Sequence, residues 1–396
     1  MKKRILFIHQ VSYIGGASYC LLNLVKEINR VEFEPIVLLA KKGPLEEELA
    51  KMGIDVYFMP NMSIIPYNRT LLSIRSLIAY YKTFRSRKYL CDILNTIKPD
   101  ILYLNNVMLY PYLKVGYELG IKTVIHIREH WPFNEHKFQL GWLSDNVRKY
   151  SNKIIAINTY SATMVSGIEN KTTIVYDWID FTGRYKEHNL DEIIGEDTSK
   201  LKVFVYIGGL QKIKGGLEVF EVFSKYKKED YRLLAIGVNT DISKVYSGIL
   251  GKSKRLLAGL GIKAPGIKMI EAINNDKDII AIPATYYIKD LIEKSYCMLS
   301  YFTIPHANLA MAESIVLKTP VIAAKTQESE EYSCGGQYAW LFSFKDKVAF
   351  VDRFTSVDKC YGSMKESLNN GSIEVANMFN KNRNAEVFRK VLNSIE

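Results

Sequence analysis

The sequence predicts an α/β protein of two domains, each built on a parallel β-sheet with helices on both faces. Three observations carry that expectation. At 396 residues the chain exceeds what one hydrophobic core usually supports. Short Val/Ile/Leu runs alternate with amphipathic helical stretches along it, the pattern of strands buried on both faces. A polar, charged stretch over Asp180–Lys200 interrupts the series, which then begins again. The expected domains are 1–182 and 183–375, with a terminal helix over 376–396 crossing back to the first.

In order, Ile5–Ile8 reads as a buried strand and Tyr13–Ser18 as a glycine turn. A helix follows to about Asn29, with Leu21, Leu24, Val25 and Ile28 at helical spacing. The Gly15–Gly16 pair lets a backbone approach a ligand at a helix N-terminus, or is only a turn; it is neither G-x-G-x-x-G nor a P-loop. Further strands are expected at Ile36–Ala40, Val56–Met59, Ile101–Leu104, Thr123–Ile127, Lys153–Ile157 and Thr173–Tyr176. His126 stands near the end of one of them, followed by Arg128, where open sheets bind ligands; a satisfied structural histidine is the alternative.

The second series opens at Val203–Ile207 and runs into Gly208–Gly216, with Lys212 and Lys214 among four glycines, then a helix to about Lys227. Free N–H groups, a helix dipole and a mobile cation make this an anion site. Strands at Arg232–Ile236, Ile279–Ile282 and Cys297–Tyr301 precede the segment Ile304–Thr326. That segment reads as loop, buried helix over Leu309–Leu317 with Asn308 as N-cap, turn, and strand Val321–Ala324. It carries one carboxylate, Glu313, among apolar and small residues, so a donor or a ligand hydroxyl is needed there. Ser363–Glu396 reads as helices.

Composition narrows the function classes. With 53 Lys+Arg against 42 Asp+Glu, the net charge of +11 favours anionic partners, but no nucleic-acid-binding motif appears. Five scattered cysteines without metal spacing fit a reducing cytosol and no structural zinc. The basic N-terminus precedes only four apolar residues, too few for a signal peptide, and no run reaches the ~18 apolar residues of a membrane span. A cytoplasmic protein is expected. The acid-free stretch Arg69–Leu90 interleaves Arg69, Arg75, Lys82, Arg85, Arg87 and Lys88 with Leu, Ile, Tyr and Phe. It reads as a basic amphipathic helix at the inner face of a membrane, or as a surface helix with a solvated basic face.

In combination these features resemble the group 1 (family 4) retaining glycosyltransferases, which have the GT-B fold of two Rossmann-like domains facing a cleft. Ile14-Gly15-Gly16-Ala17 resembles the family's N-terminal G-G-A loop, and His126 stands where the family has a strand-end histidine. Ile174–Asp180 resembles its v-i-x-N-G-x-D signature, keeping only Asp180 of the polar positions. Gly208–Gly215 is similar to G-R-L-x-x-x-K-G, and Leu309–Ala323 to L-x-x-x-E-A-x-x-x-G-x-P-V-I-A. The likeness spans nearly the whole chain.

The resemblance implies sugar transfer from a nucleotide sugar to a glycan or lipid-linked acceptor, with retention, no cofactor and no bound metal, in surface polysaccharide or glycolipid synthesis. His126, Lys214 and Glu313 are then the catalytic candidates. Gly208, Gly209, Lys212, Lys214, His306, Asn308, Leu309 and Glu313 would bind the donor; Gly15, Gly16, His126 and Arg128 would lie on the acceptor side. Two positions depart from the family: Pro305 stands at the first Glu of its E-x7-E and Gly209 at its diphosphate arginine, which leaves open a different donor, replacement by Lys212 or His306, or loss of activity. A non-catalytic binding subunit and an epimerase-like GT-B enzyme are the alternatives.

Overall fold

The computed structural model describes residues 2–13, 15–65, 73–130, 137–182, 186–241, 263–285 and 287–395. Ile14 of the glycine turn and Arg69 of the basic stretch lie outside them. The chain forms two units, Met1–Trp178 with Phe379–Glu396, and Ile179–Met378. Each is an α/β unit on one sheet, as the alternating runs predict.

The first unit holds a seven-stranded sheet of order β3-β2-β1-β4-β5-β6-β7. Its strands are β1 Lys3–His9, β2 Phe33–Leu39, β3 Asp55–Phe58, β4 Ile101–Leu104, β5 Lys122–Ile127, β6 Lys153–Ala156 and β7 Thr172–Ile174. Every pairing is parallel. Side chains alternate between the two faces. Leu6, Ile8, Leu102, Leu104, Ile125 and Ile127 face one core with Leu90 and Leu94 of the Ile74–Ile97 helix. Phe7 and Tyr103 pack together with ring centres 4.7 Å apart, and Phe388 of the Lys381–Asn393 helix meets Tyr103 at 6.0 Å.

The second unit holds a six-stranded parallel sheet of order β10-β9-β8-β11-β12-β13. These are β8 Lys202–Ile207, β9 Tyr231–Ile236, β10 Ile279–Ile282, β11 Cys297–Ser300, β12 Val321–Ala324 and β13 Trp340–Phe342. The sequence reading misses β13, whose three residues are too few for a period and become a strand only by pairing Leu341 with Ala323. It also starts the C-terminal helices too late: one runs Lys347–Met378, because Phe350, Phe354 and Val357 at helical spacing enter the core beside Phe204 and Phe342.

The Ile74–Ile97 helix is built inside-out over its first turns. It buries Ser76, Ala79, Thr83 and Ser86, and exposes Ile74, Leu77, Ile78, Tyr81 and Phe84, the last two at 62% and 72%. Thr83 and Ser86 satisfy their hydroxyls on the carbonyls of Ala79 and Thr83, at 2.8 and 2.9 Å. Arg75, Lys82, Arg85 and Lys88 share the exposed side, whereas Arg87 lies 3.5 Å from Glu118. No described helix is long and apolar enough to cross a membrane.

Candidate functional site

In the second sheet, β8 has β9 on one side and β11 on the other, so the connections diverge at its carboxyl end. Such a switch point is where open α/β sheets bind ligands. The loops there are Gly208–Gly215 and Tyr301–Asn308, tied together where Thr303 donates to the carbonyls of Ile213 (3.0 Å) and Lys212 (3.3 Å). Close packing explains two of the glycines. Gly215 has φ +68, and a Cβ there would sit 1.6 Å from the Tyr301 carbonyl oxygen. Gly209 has φ +58, and its Cβ would lie 2.9 Å from the Gly237 carbonyl oxygen. A side chain at position 209 therefore requires the chain to shift.

Lys214 ends a short 3₁₀ turn over Lys212–Lys214, and its Nζ lies 4.2 Å from the centre of the Phe302 ring. The side chain is half-buried and has no carboxylate or hydrogen-bond acceptor among the described residues. Burial lowers its pKa to about 8. His306 packs on the same Phe302 ring at 5.9 Å, and burial, with Lys214 nearby, pushes its pKa down to about 3. The imidazole is neutral, so Lys214 rather than His306 provides positive charge here; Lys212 is exposed.

Asn308 is the N-cap of the Leu309–Val316 helix: its Oδ1 accepts from Met311 N at 3.3 Å, and its Nδ2 donates to Ser300 Oγ at 2.9 Å. Substituting such a cap costs about 1 kcal/mol. The bond to Ser300 also fixes the helix start at the end of β11, so the helix dipole serves this loop. Glu313 is 5% exposed on the same helix.

In the first sheet the switch point lies between β1 and β4, and Gly15 and Gly16 stand after β1 at the start of the Gly16–Lys26 helix. Gly15 is extended, and a Cβ on Gly16 would meet nothing within 4 Å. His126 is 1% exposed. Its Nδ1 lies 2.8 Å from the Tyr103 hydroxyl and 3.3 Å from Arg128 Nη2. Arg128 also donates through Nε to Asn105 Oδ1 at 3.1 Å, and through Nη1 to both carboxylate oxygens of Asp177 at 2.6 Å. Burial, then the Arg128 charge, hold His126 well below the usual imidazole range and His9 at about 3.

The structure thus gathers Gly208, Gly209, Lys212, Lys214, His306, Asn308 and Leu309 at one switch point, with Glu313 a turn into the adjoining helix. It places His126 and Arg128 in a buried network of the first unit, where the guanidinium is committed to chain partners. The sequence reading does not single out Phe302, whose role needs the folded loop, nor Tyr103, Asn105 and His9, which look like ordinary strand-end residues. It also passes over Glu129. That carboxyl is 8% exposed; one oxygen accepts from Asn106 Nδ2 while Oε2 has no hydrogen-bond partner among the described residues. Burial raises its pKa to about 7, against the opposing pull of Arg128 and the hydrogen bonds it accepts.

No protein-family model and no curated protein sequence matches the chain. Solved structures do. Anabaena HepE in complex with UDP-glucose is similar with TM-score 0.75 at 15% identity, over 99% of this chain and 100% of that one. Sucrose-phosphate synthase from Thermosynechococcus elongatus gives 0.71 at 11%, over 99% and 100%. A UDP-forming α,α-trehalose-phosphate synthase from Burkholderia xenovorans gives 0.70 at 13%, over 100% and 99%. The chain has the fold these glycosyltransferases share, GT-B.

Proposed function

We propose that the chain is a retaining glycosyltransferase that takes a sugar from a nucleotide-diphosphate donor held by its second unit. One observation carries the reading. Lys214 is a half-buried cation at the switch point without a counter-charge among the described residues, beside a helix N-terminus fixed by Asn308. Such a site is completed by an anion. As the bond from the anomeric carbon to the diphosphate oxygen breaks, negative charge grows on the leaving phosphate, and Lys214 with the backbone amide of Leu309 stabilises it. On this reading the counter-cation is Lys214 rather than a metal, and Glu313 accepts from the ribose of the donor. Retention by same-face attack follows the motif resemblance, and a UDP-hexose, as seen with the Anabaena neighbour, is the donor to try first.

The acceptor on this reading is a glycan or lipid-linked sugar, in surface polysaccharide or glycolipid synthesis at the inner face of a membrane. Support comes from the Ile74–Ile97 helix. A solvated surface does not explain large apolar side chains outside and serines inside, whereas an anionic bilayer interface accommodates both the apolar groups and the four exposed cations Arg75, Lys82, Arg85 and Lys88. The test is titration calorimetry of the protein with a panel of nucleoside diphosphates, followed by mass spectrometry of sugar transfer from each bound donor. Binding with transfer supports the enzyme; binding without transfer favours the inert relative; epimerised donor favours the epimerase. Absence of binding by every diphosphate overturns the site.

A further inference from the structure

Tyr206 lies one residue before the end of β8 and is 1% exposed, with its ring edge-on to Phe220 at 5.2 Å. Its hydroxyl reaches into the glycine–lysine loop. A Cβ on Gly208 would sit 2.3 Å from that oxygen, and one on Gly216 2.8 Å from it. These two glycines leave room for the phenol. A buried tyrosine hydroxyl needs a partner, and this one donates to the Gly209 carbonyl at 3.2 Å. The Gly209 N–H donates in turn to the Ile236 carbonyl, also at 3.2 Å. Both backbone groups of Gly209 are thus held, in the left-handed conformation of its φ of +58.

That bond fixes the next peptide as well. The peptide joining Gly209 to Leu210 is trans, so its C=O and N–H point in opposite directions. With the carbonyl drawn down to Tyr206, the Leu210 N–H is turned away from the core beneath the loop. It has no hydrogen-bond partner among the described residues, and Leu210 is half-buried rather than enclosed. Lys214 begins beside the same turn, its Cβ 2.8 Å from the Cβ position of Gly208. We infer that Tyr206 is a positioning residue for anion binding: by holding the Gly209 carbonyl it presents the Leu210 N–H to a phosphate oxygen beside Lys214. Position 209 carries no side chain, so the contact there is a backbone one. That the phosphate belongs to a nucleotide sugar rests on the transferase reading; the direction of the amide does not.

Two variants of the full chain separate the parts. Tyr206→Phe keeps the ring and releases the carbonyl; 4-fluorophenylalanine at 206, which fills the hydroxyl's place without donating, replaces it if that variant does not fold. Leucine's α-hydroxy acid analogue at 210 turns the amide into an ester, removing the N–H and keeping the side chain. The probe is inorganic pyrophosphate, read by calorimetry and by amide NMR with labelled leucine, the ester variant assigning the Leu210 signal. In the wild type pyrophosphate should shift that signal and slow its exchange with water. The pyrophosphate Kd should rise about three- to tenfold on loss of the Tyr206 hydroxyl and about ten- to a hundredfold in the ester. The fall of affinity above about pH 8 that Lys214 gives should persist without the hydroxyl, which a collapsed loop would not allow. A Kd within twofold of wild type in both variants overturns the inference, as does a Leu210 signal that pyrophosphate leaves in place. These losses in a protein that binds no nucleoside diphosphate support the positioning and overturn the donor reading. Nucleoside diphosphate binding that ignores both variants does the reverse.

Discussion

The Nζ of Lys214 stands over the ring of Phe302, 4.2 Å from its centre, as a cation held by an aromatic face rather than by a carboxylate. That contact is attractive but weak, about 0.5–2 kcal/mol. It keeps the lysine oriented without neutralising it. A carboxylate partner would compete with a ligand phosphate; Phe302 does not.

Removing that charge should weaken nucleotide binding. Charge-assisted hydrogen bonds are worth about 1.5–3 kcal/mol, so Lys214→Ala should raise the Kd for a nucleoside diphosphate by about ten- to a hundredfold with little loss of thermal stability. Calorimetry checks the first, thermal unfolding the second. A Kd within twofold of wild type removes Lys214 from the site.

The pH dependence has a definite sign. Burial lowers the Lys214 pKa to about 8, below its value in an unfolded chain. Diphosphate binding favours the charged form, so affinity should be flat below about pH 8 and fall above it, up to about tenfold per unit until the bound-state pKa is reached. For stability the unfolded chain holds the proton between about 8 and 10.5, so this group makes the protein more stable as pH rises through that window. Lys214→Met should abolish both trends.

Restoring the family arginine at position 209 should fail. Gly209 is in the left-handed region, and its Cβ position meets the Gly237 carbonyl. Backbone strain of this kind costs about 1–3 kcal/mol. Gly209→Arg should therefore lower Tm, as should Gly209→Ala, without tightening diphosphate binding. Tighter binding at unchanged Tm contradicts this account of the glycine.

Glu129 should make stability fall with rising pH. Its folded pKa of about 7 lies above the ordinary 4.5, so the buried protonated form favours folding fully below pH 4.5 and that contribution is lost as pH rises through about 7. The shift corresponds to about 3 kcal/mol. Glu129→Gln should be free of this loss, so it should exceed wild type in stability at pH 8 while differing little at pH 4.5. Denaturant titrations at the two pH values decide it.

The Ile74–Ile97 helix should sediment with anionic vesicles. Each basic residue near such a surface contributes about 1 kcal/mol, so replacing Arg75, Lys82, Arg85 and Lys88 with Gln should lower partitioning by a hundredfold or more. Phe84→Ser and Tyr81→Ser should weaken it further at any salt concentration. Undiminished sedimentation of the variants removes the membrane face.

The sequence by itself determined the repeated strand–helix order, because strands buried on both faces must be continuous apolar runs; Ile101–Leu104, Ile279–Ile282 and Val321–Ala324 have the expected bounds. It also marked the glycine–lysine loop and the Asn308 cap, whose chemistry is local. Tertiary structure decided what depends on neighbours distant in the chain. β13 exists only by pairing with β12, Lys214 meets the Phe302 ring only because the fold brings in a second strand end, and the apolar side of the Ile74–Ile97 helix faces outward because small residues fit against the core. Arg128 belongs to the same class. Its place after a strand end put it on the acceptor side in the sequence, and only the fold shows its guanidinium donating to both carboxylate oxygens of Asp177, forty-nine residues on in the chain, at 2.6 Å.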